Sequence, residues 1–257
     1  MIISFVNSKG GSGKTTLVTQ ISTFLAMMHK DKKICIIDAD DQLASAMWYK
    51  SRKESQKILP TDKVLPNVYL ESLVPSGDSR TETMINLITQ CDEKYDYVLI
   101  DTKGVVSGDT RIAITLADLV IIPTNPVAMD IWVMTKGVYP TILEETENRR
   151  VYNDGASLPA LVIFNRTRER KLITQNSDLA LARDLVRQDC PELIVSDNRI
   201  ADRKQIPRLF EQGLGIGDDV TSDQAAALEF EDVAREVDAL LSKVQQAKQT
   251  VAQAVGA

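Results

Sequence analysis

The chain has 257 residues, of which 44% are hydrophobic and 26% charged, with 12 Gly and 9 Pro; this is the make-up of an ordinary globular chain and excludes disorder as its main state. Its single histidine, His29, excludes a multi-histidine zinc site, and a Ser-His-Asp triad would have to commit it. A net charge of -6 gives no global attraction to DNA or to an anionic membrane, so binding of either kind has to rest on a local patch.

From the N-terminus, Ile2 to Val6 is an apolar run of strand length, and Thr15 to Met28 then places Val18, Ile21, Leu25 and Met28 at helical spacing. A strand follows at Ile34 to Ile37 and a helix around Leu43 to Lys50. Ser51 to Pro66, polar and carrying Pro60 and Pro66, reads as a surface connection. Strands at Val68 to Leu70 and Val98 to Ile100 flank a helical stripe over Thr83 to Cys91. Leu119 to Ile122 and Ala160 to Phe164 are further strands. Between them lie a helix at Ile131 to Leu143 and a turn-rich link, Asn148 to Pro159, with Asn153, Asp154 and Gly155. Ser177 to Gln188 predicts a helix and Leu193 to Val195 a short seventh strand. Gly213, Gly215 and Gly217 read as a loop. Residues 223–248 predict a long amphipathic helix, because Phe230, Val233, Ala234, Val237, Leu240, Leu241 and Val244 recur at steps of three and four.

Strands alternating with helices predict an α/β fold: a doubly wound, mostly parallel sheet of about seven strands with helices on both faces, in one domain over 1–257. Cys35, Cys91 and Cys190 form no CxxC pair and read as reduced, mostly buried thiols. No run of about 18 apolar residues occurs, and the apolar start lacks a basic flank and a cleavage site, so the expected location is the cytoplasm.

The chemistry is concentrated after the first strand, in Asn7-Ser8-Lys9-Gly10-Gly11-Ser12-Gly13-Lys14-Thr15-Thr16, which leads into a helix. Glycines let successive backbone N–H groups turn toward a phosphate, and the helix N-terminus adds its dipole. This is a P-loop: Lys14 is placed to reach the β- and γ-phosphates and Thr15 to coordinate Mg²⁺. Asp101 ends an apolar strand at the edge where open α/β sheets bind ligands, and can hold Mg²⁺ through water. Asp38 and Asp40 end another strand. ATP is favoured over GTP because Asn165-Arg166-Thr167-Arg168, the nearest approach to a guanine-reading motif, lacks its carboxylate.

With Ser8 where the standard pattern has glycine and a second lysine at Lys9, the loop resembles the deviant Walker A of the ParA/MinD ATPase family. Ile36-Ile37-Asp38-Ala39-Asp40-Asp41-Gln42 is similar to that family's switch segment, and Tyr95 to Thr102 to its Walker B strand. The length, the lack of an N-terminal helix-turn-helix and the long last helix resemble the small ParA proteins of plasmid partition. The resemblance implies that Gly10, Gly11, Ser12, Gly13 and Thr16 also cradle nucleotide, and that Asp40 positions the attacking water while Asp38 supports the metal shell. It implies further that Asn165 contacts the base and that Lys9 crosses an ATP-dependent homodimer interface. Two positions depart from the family pattern: Asp41 replaces the switch proline, and Lys103 stands where relatives have proline after the Walker B Asp-Thr.

Arg166, Arg168, Arg170 and Lys171 form one basic cluster and Arg199, Arg203, Lys204 and Arg208 a second, both suited to sequence-independent phosphate contacts. The expected function is a ParA-type ATPase of weak intrinsic activity, using ATP and Mg²⁺. It would dimerise on ATP, bind non-specific DNA, associate with the nucleoid, and segregate plasmid or other mobile DNA with a ParB-like adaptor. Positioning of a conjugation complex or protein cargo is the alternative within the family. A MinD-like membrane role is disfavoured because Gln245 to Ala257 offers only Lys248 and small apolar residues, and a redox role because no ligand-cysteine motif is present.

Overall fold

The computed structural model describes residues 1–73, 79–152, 158–168, 177–218 and 223–255. The seven strands are β1 (Ile2–Phe5), β2 (Ile34–Asp38), β3 (Val68–Ser72), β4 (Tyr97–Asp101), β5 (Leu119–Thr124), β6 (Ala160–Thr167) and β7 (Ile194–Ala201). They form a single sheet in the order β3-β2-β4-β1-β5-β6-β7, and every pair is parallel. Parallel strands need crossovers, and the helices that supply them cover both faces.

Side chains along each strand alternate between two cores. On one face Ile3, Phe5, Ile34, Ile36, Leu99 and Ile121 pack against α1 (Lys14–Met28), α2 (Ala44–Ile58), α7 (Gln205–Glu211) and α8 (Gln224–Val255). On the other, Cys35, Ile37, Val98, Ile100, Val120 and Val162 pack against α3 (Arg80–Lys94), α4 (Gly108–Leu116), α5 (Ala128–Tyr152) and α6 (Asp178–Asp189). This is the period-two division expected of strands buried on both sides. All three cysteines are buried free thiols. His29 lies 2.9 Å from Asp238 and stacks on Tyr97, so the one imidazole fastens α8 to the sheet edge.

Several boundaries differ from expectation, each for a physical reason. Ser51 to Ile58 continues α2 instead of forming a surface connection. Its polar residues are used internally: Arg52, 3% exposed, pairs with Asp218 at 2.7 Å, and Gln56 bonds the backbone of Lys63 and Leu65. Asn148 to Tyr152 belongs to the end of α5, and the rest of that predicted link, 153–157, lies outside the described residues. β7 extends beyond the predicted Val195 to Ala201 and so includes Arg199. α4 and α7 are too short to announce themselves by periodicity. The Gly213 to Gly217 stretch is a loop, but one pressed onto α1 and α2. Gly213 has φ +67°, and a Cβ there would stand 2.0 Å from the Arg52 backbone nitrogen, so only glycine fits.

Candidate nucleotide site

β1 delivers its chain directly into the loop that precedes α1. Gly11 and Gly13 have φ of 74° and 101°, left-handed values that favour glycine, and a Cβ on Gly13 would meet the Asn165 amide nitrogen at 1.9 Å. The entrance of the loop is fastened to its neighbours. The Asn7 amide donates to the Pro123 carbonyl at 2.7 Å and its oxygen accepts from the Lys9 N–H. Ser8 Oγ donates to the Val133 carbonyl at 3.1 Å, in a space left by Gly137, whose Cβ would fall 2.3 Å from that hydroxyl.

α1 then starts with no side-chain cap and no acidic residue in its first turn, leaving its first N–H groups and the positive end of its dipole for an anion. Lys14 is 7% exposed, and among the described residues its Nζ reaches only the Asn7 carbonyl, at 3.5 Å. Burial lowers its pKa, opposed by the charges of Asp101 and Asp40. A buried ammonium with so little compensation is a site prepared for a negative ligand.

The carboxylates stand on adjacent strands, with Asp38 of β2 in register with Asp101 of β4. Both are fully buried, and they differ in how they are used. Asp38 accepts from the Asp40 N–H at 3.2 Å and from the Ala46 N–H at 2.9 Å, so it folds the 38–42 turn and caps α2. Each of its oxygens accepts from one backbone N–H and keeps capacity for a further partner, so Asp38 can still support a metal shell beside Asp101. Asp101 accepts from Ser45 Oγ at 2.8 Å with one oxygen, while the other, Oδ1, has no hydrogen-bond partner among the described residues. Burial pushes its pKa up to about 7, against the pull of the Ser45 and Thr15 hydroxyls. A buried, unpartnered carboxylate oxygen close to Thr15 fits a hard divalent cation. Asp40 is half-buried, accepts from the Gln42 N–H, and lines a cavity of about 590 Å³ together with Gly10, Gly11, Lys14, Thr15 and Lys103.

The remaining predicted residues divide. Lys9 forms an ion pair within its own chain, with Asp130 on α5; Asp130 is 2% exposed and also accepts from the Asn125 amide at 2.6 Å. Asn165 donates to the Ser12 carbonyl at 3.2 Å and accepts from the Arg166 N–H, so it braces the P-loop. It also lines a second cavity, of about 300 Å³, with Thr16, Pro207 and Phe210. Arg166, at φ 53°, lines both cavities, and the exposed Arg168 borders a third beside Lys9.

Arg170 and Lys171 lie outside the described residues. Arg199 donates to Thr167 Oγ1 at 3.2 Å. Arg203 pairs with Glu229 at 2.8 Å and Asp223 at 3.2 Å, fastening the start of α8. Lys204 and Arg208 are exposed. Asp130, Ser45, Arg80 and Asp109 were invisible as site residues in the sequence, since none stands in a motif and each arrives from a different helix. The two departures from the family pattern, Asp41 and Lys103, meet each other at 2.7 Å.

Comparison with known proteins agrees with this geometry. The profile of the ATPase MipZ family matches residues 1–246. The chain is 30% identical over 146 residues to the septum site-determining protein MinD of Synechocystis sp., covering 49% of this chain and 53% of that one, so the match spans about half the relative's length. It is 27% identical over 203 residues to the maintenance of carboxysome distribution protein A of Halothiobacillus neapolitanus, covering 77% and 80%. The solved structure of the septum site-determining protein MinD complexed with Mg-ADP from Pyrococcus horikoshii superposes with a TM-score of 0.65 over 95% of this chain and 98% of that one, at 21% identity, a likeness of fold. With a deviant P-loop, an acidic switch turn and a Walker B strand on an all-parallel seven-stranded sheet, this chain belongs to the MipZ family of ParA/MinD-type P-loop ATPases.

Proposed function

We propose that the protein is an ATP-driven positioning switch that binds Mg·ATP in the cavity above Lys14, closes with a second copy of itself, and hydrolyses the nucleotide to reopen. The observation that carries this reading is the uncapped start of α1 and the under-compensated Lys14 at one cavity, with the buried, orphaned oxygen of Asp101 close to Thr15, which lines that cavity. The backbone N–H groups of residues 10–16 and Lys14 would hold the phosphates. Thr15 and Asp101 would hold Mg²⁺, which when bound neutralises charge on the β- and γ-phosphates. Asp40 would orient the water that breaks the terminal P–O bond. Asn165 and Arg166 flank the second cavity, which suits a base.

Dimerisation is supported by exposed apolar residues on the same edge of the sheet: Leu43 44%, Met47 60%, Val105 54%, Val127 50%, Met129 65% and Trp132 60% exposed. All follow the carboxyl ends of strands, where a partner facing the nucleotide would cover them. Lys9 would leave Asp130 and reach the partner's phosphates.

For cargo, we favour plasmid or other mobile DNA, moved by ATP-dependent, sequence-independent binding to nucleoid DNA with a ParB-like adaptor that stimulates hydrolysis. Lys204 and Arg208, with Arg168, are the exposed cations that support this. The carboxysome-distribution relative supports protein-cargo positioning as a second reading. Among the described residues no helix is long and apolar enough to cross a membrane. The test is binding of a random-sequence duplex with ADP and with a slowly hydrolysed ATP analogue. The DNA reading expects tighter, steeply salt-dependent binding with the analogue; equal affinity in both would remove it and leave the ATPase reading in place.

A further inference from the structure

Lys103 is a cation at the phosphate cavity that the P-loop does not supply. It lines the cavity with Gly10, Gly11 and Lys14, and is 20% exposed. The next residue, Gly104, fixes this position: a Cβ on Gly104 would stand 3.1 Å from the Gly10 Cα and nitrogen, so the two backbones are already in close contact. In the structure the Lys103 ammonium is held by two carboxylates, Asp41 at 2.7 Å and Asp109 at 3.6 Å. Arg80 holds the same two, at 2.9 and 2.6 Å. The four charges therefore form a closed ring in which each carboxylate has two cations.

We propose that Lys103 is a γ-phosphate sensor, which exchanges the Asp41 carboxylate for the terminal phosphate of ATP and returns to Asp41 after hydrolysis. The inference rests on the reading of the cavity as an ATP site. Exchange is feasible because Arg80 keeps both carboxylates partnered when Lys103 leaves, and Asp41, 66% exposed, is readily solvated. A multiply charged phosphate outcompetes a single exposed carboxylate for an ammonium. ADP lacks the group that would draw Lys103 away, so the ring stays closed. Asp41 directly follows Asp40, and its release loosens the turn that carries the hydrolytic carboxylate. One lysine thereby converts the presence of a third phosphate into motion of the switch segment.

The test compares affinity for ADP and for a non-hydrolysable ATP analogue in the wild type, Lys103→Met and Asp41→Asn. Loss of one charge-assisted contact predicts that Lys103→Met binds the analogue about tenfold to hundredfold more weakly, with ADP affinity within about twofold. Asp41→Asn, which removes the competitor, is expected to tighten the analogue severalfold and leave ADP unchanged. Lys103→Arg should retain most of the discrimination. Equal loss of both nucleotides in Lys103→Met, or affinity for both as in the wild type, overturns the proposal. Should Lys103→Met fail to fold, an analogue affinity unchanged in Asp41→Asn overturns it instead. A wild type that binds neither nucleotide refutes the ATP-site reading, which is a separate result.

Discussion

Lys9 is held within its own chain in this structure, and that contact would set an energetic threshold for the proposed dimer. Asp130 is buried at the start of α5 and grips Lys9 from one side while Asn125 donates to it from the other. A Lys9 that crosses to a partner must first give up Asp130. Because the Lys9 side chain is 40% exposed, solvent screens the pair, and its worth is set at about 1 kcal/mol, the upper end for exposed ion pairs. Two such contacts open for every dimer formed, which makes about 2 kcal/mol, or roughly 30-fold in the dimerisation constant. Asp130→Asn keeps the size of the side chain and its contact with Asn125 but drops the charge. It is expected to tighten the dimer formed with a slowly hydrolysed ATP analogue by up to that factor, read by sedimentation equilibrium over a concentration series. Nucleotide affinity under monomeric conditions serves as the control for an intact P-loop. A dimer of unchanged or weaker affinity, with nucleotide binding intact, would refute the reasoning that Asp130 restrains Lys9.

Three further outcomes are expected. The Asp101 pKa, raised by burial to about 7, lies above its unfolded value of about 4, so the nucleotide-free protein loses stability from this group as pH rises between those values. Mg²⁺ requires the carboxylate, so Mg-nucleotide binding should release a proton near neutrality and weaken about tenfold from pH 8 to pH 6. Calorimetry in buffers of different ionisation enthalpy measures this, and a proton count of zero counts against the assignment. Arg52→Met strands the fully buried Asp218 and should cost about 3–5 kcal/mol in denaturant unfolding, largely recovered by adding Asp218→Asn; a loss under about 1 kcal/mol would contradict the burial argument. For DNA, Lys204→Ala and Arg208→Ala should each reduce the salt-dependence slope by about one, whereas Arg203→Ala leaves the slope unchanged and lowers stability; the reverse pattern would return Arg203 to the binding surface.

What the sequence made legible follows from where its signals are local. Runs such as Ile34 to Ile37 and Leu119 to Ile122 are buried on both faces and read as strands without knowledge of their neighbours. The P-loop was legible because phosphate binding needs consecutive backbone donors, which glycine spacing records directly. Ser51 to Ile58 reads as a connection because hydropathy sees only the polarity of Arg52 and Gln56, whereas in the fold Arg52 pairs with Asp218, far away in sequence, and Gln56 bonds the backbone just beyond the helix. The ion pairing of Arg203 is equally illegible: a run of basic residues does not show that Glu229, 26 residues on, folds against one of them. Asp130 and Asp109 carry no motif, and their importance arises from which loop their helices bring them to. The departures at Asp41 and Lys103 were visible individually, but their pairing depends on loops that follow β2 and β4, which are adjacent only in the folded sheet.

The central claim, that ATP closes two copies around the P-loop, is tested most directly by the sedimentation mass of Asp40→Ala, in which hydrolysis should be blocked. With Mg²⁺ and ATP the account predicts twice the 28.5 kDa chain mass, and with Mg²⁺ and ADP the single chain. The same mass with both nucleotides, whether monomer or dimer, would contradict it.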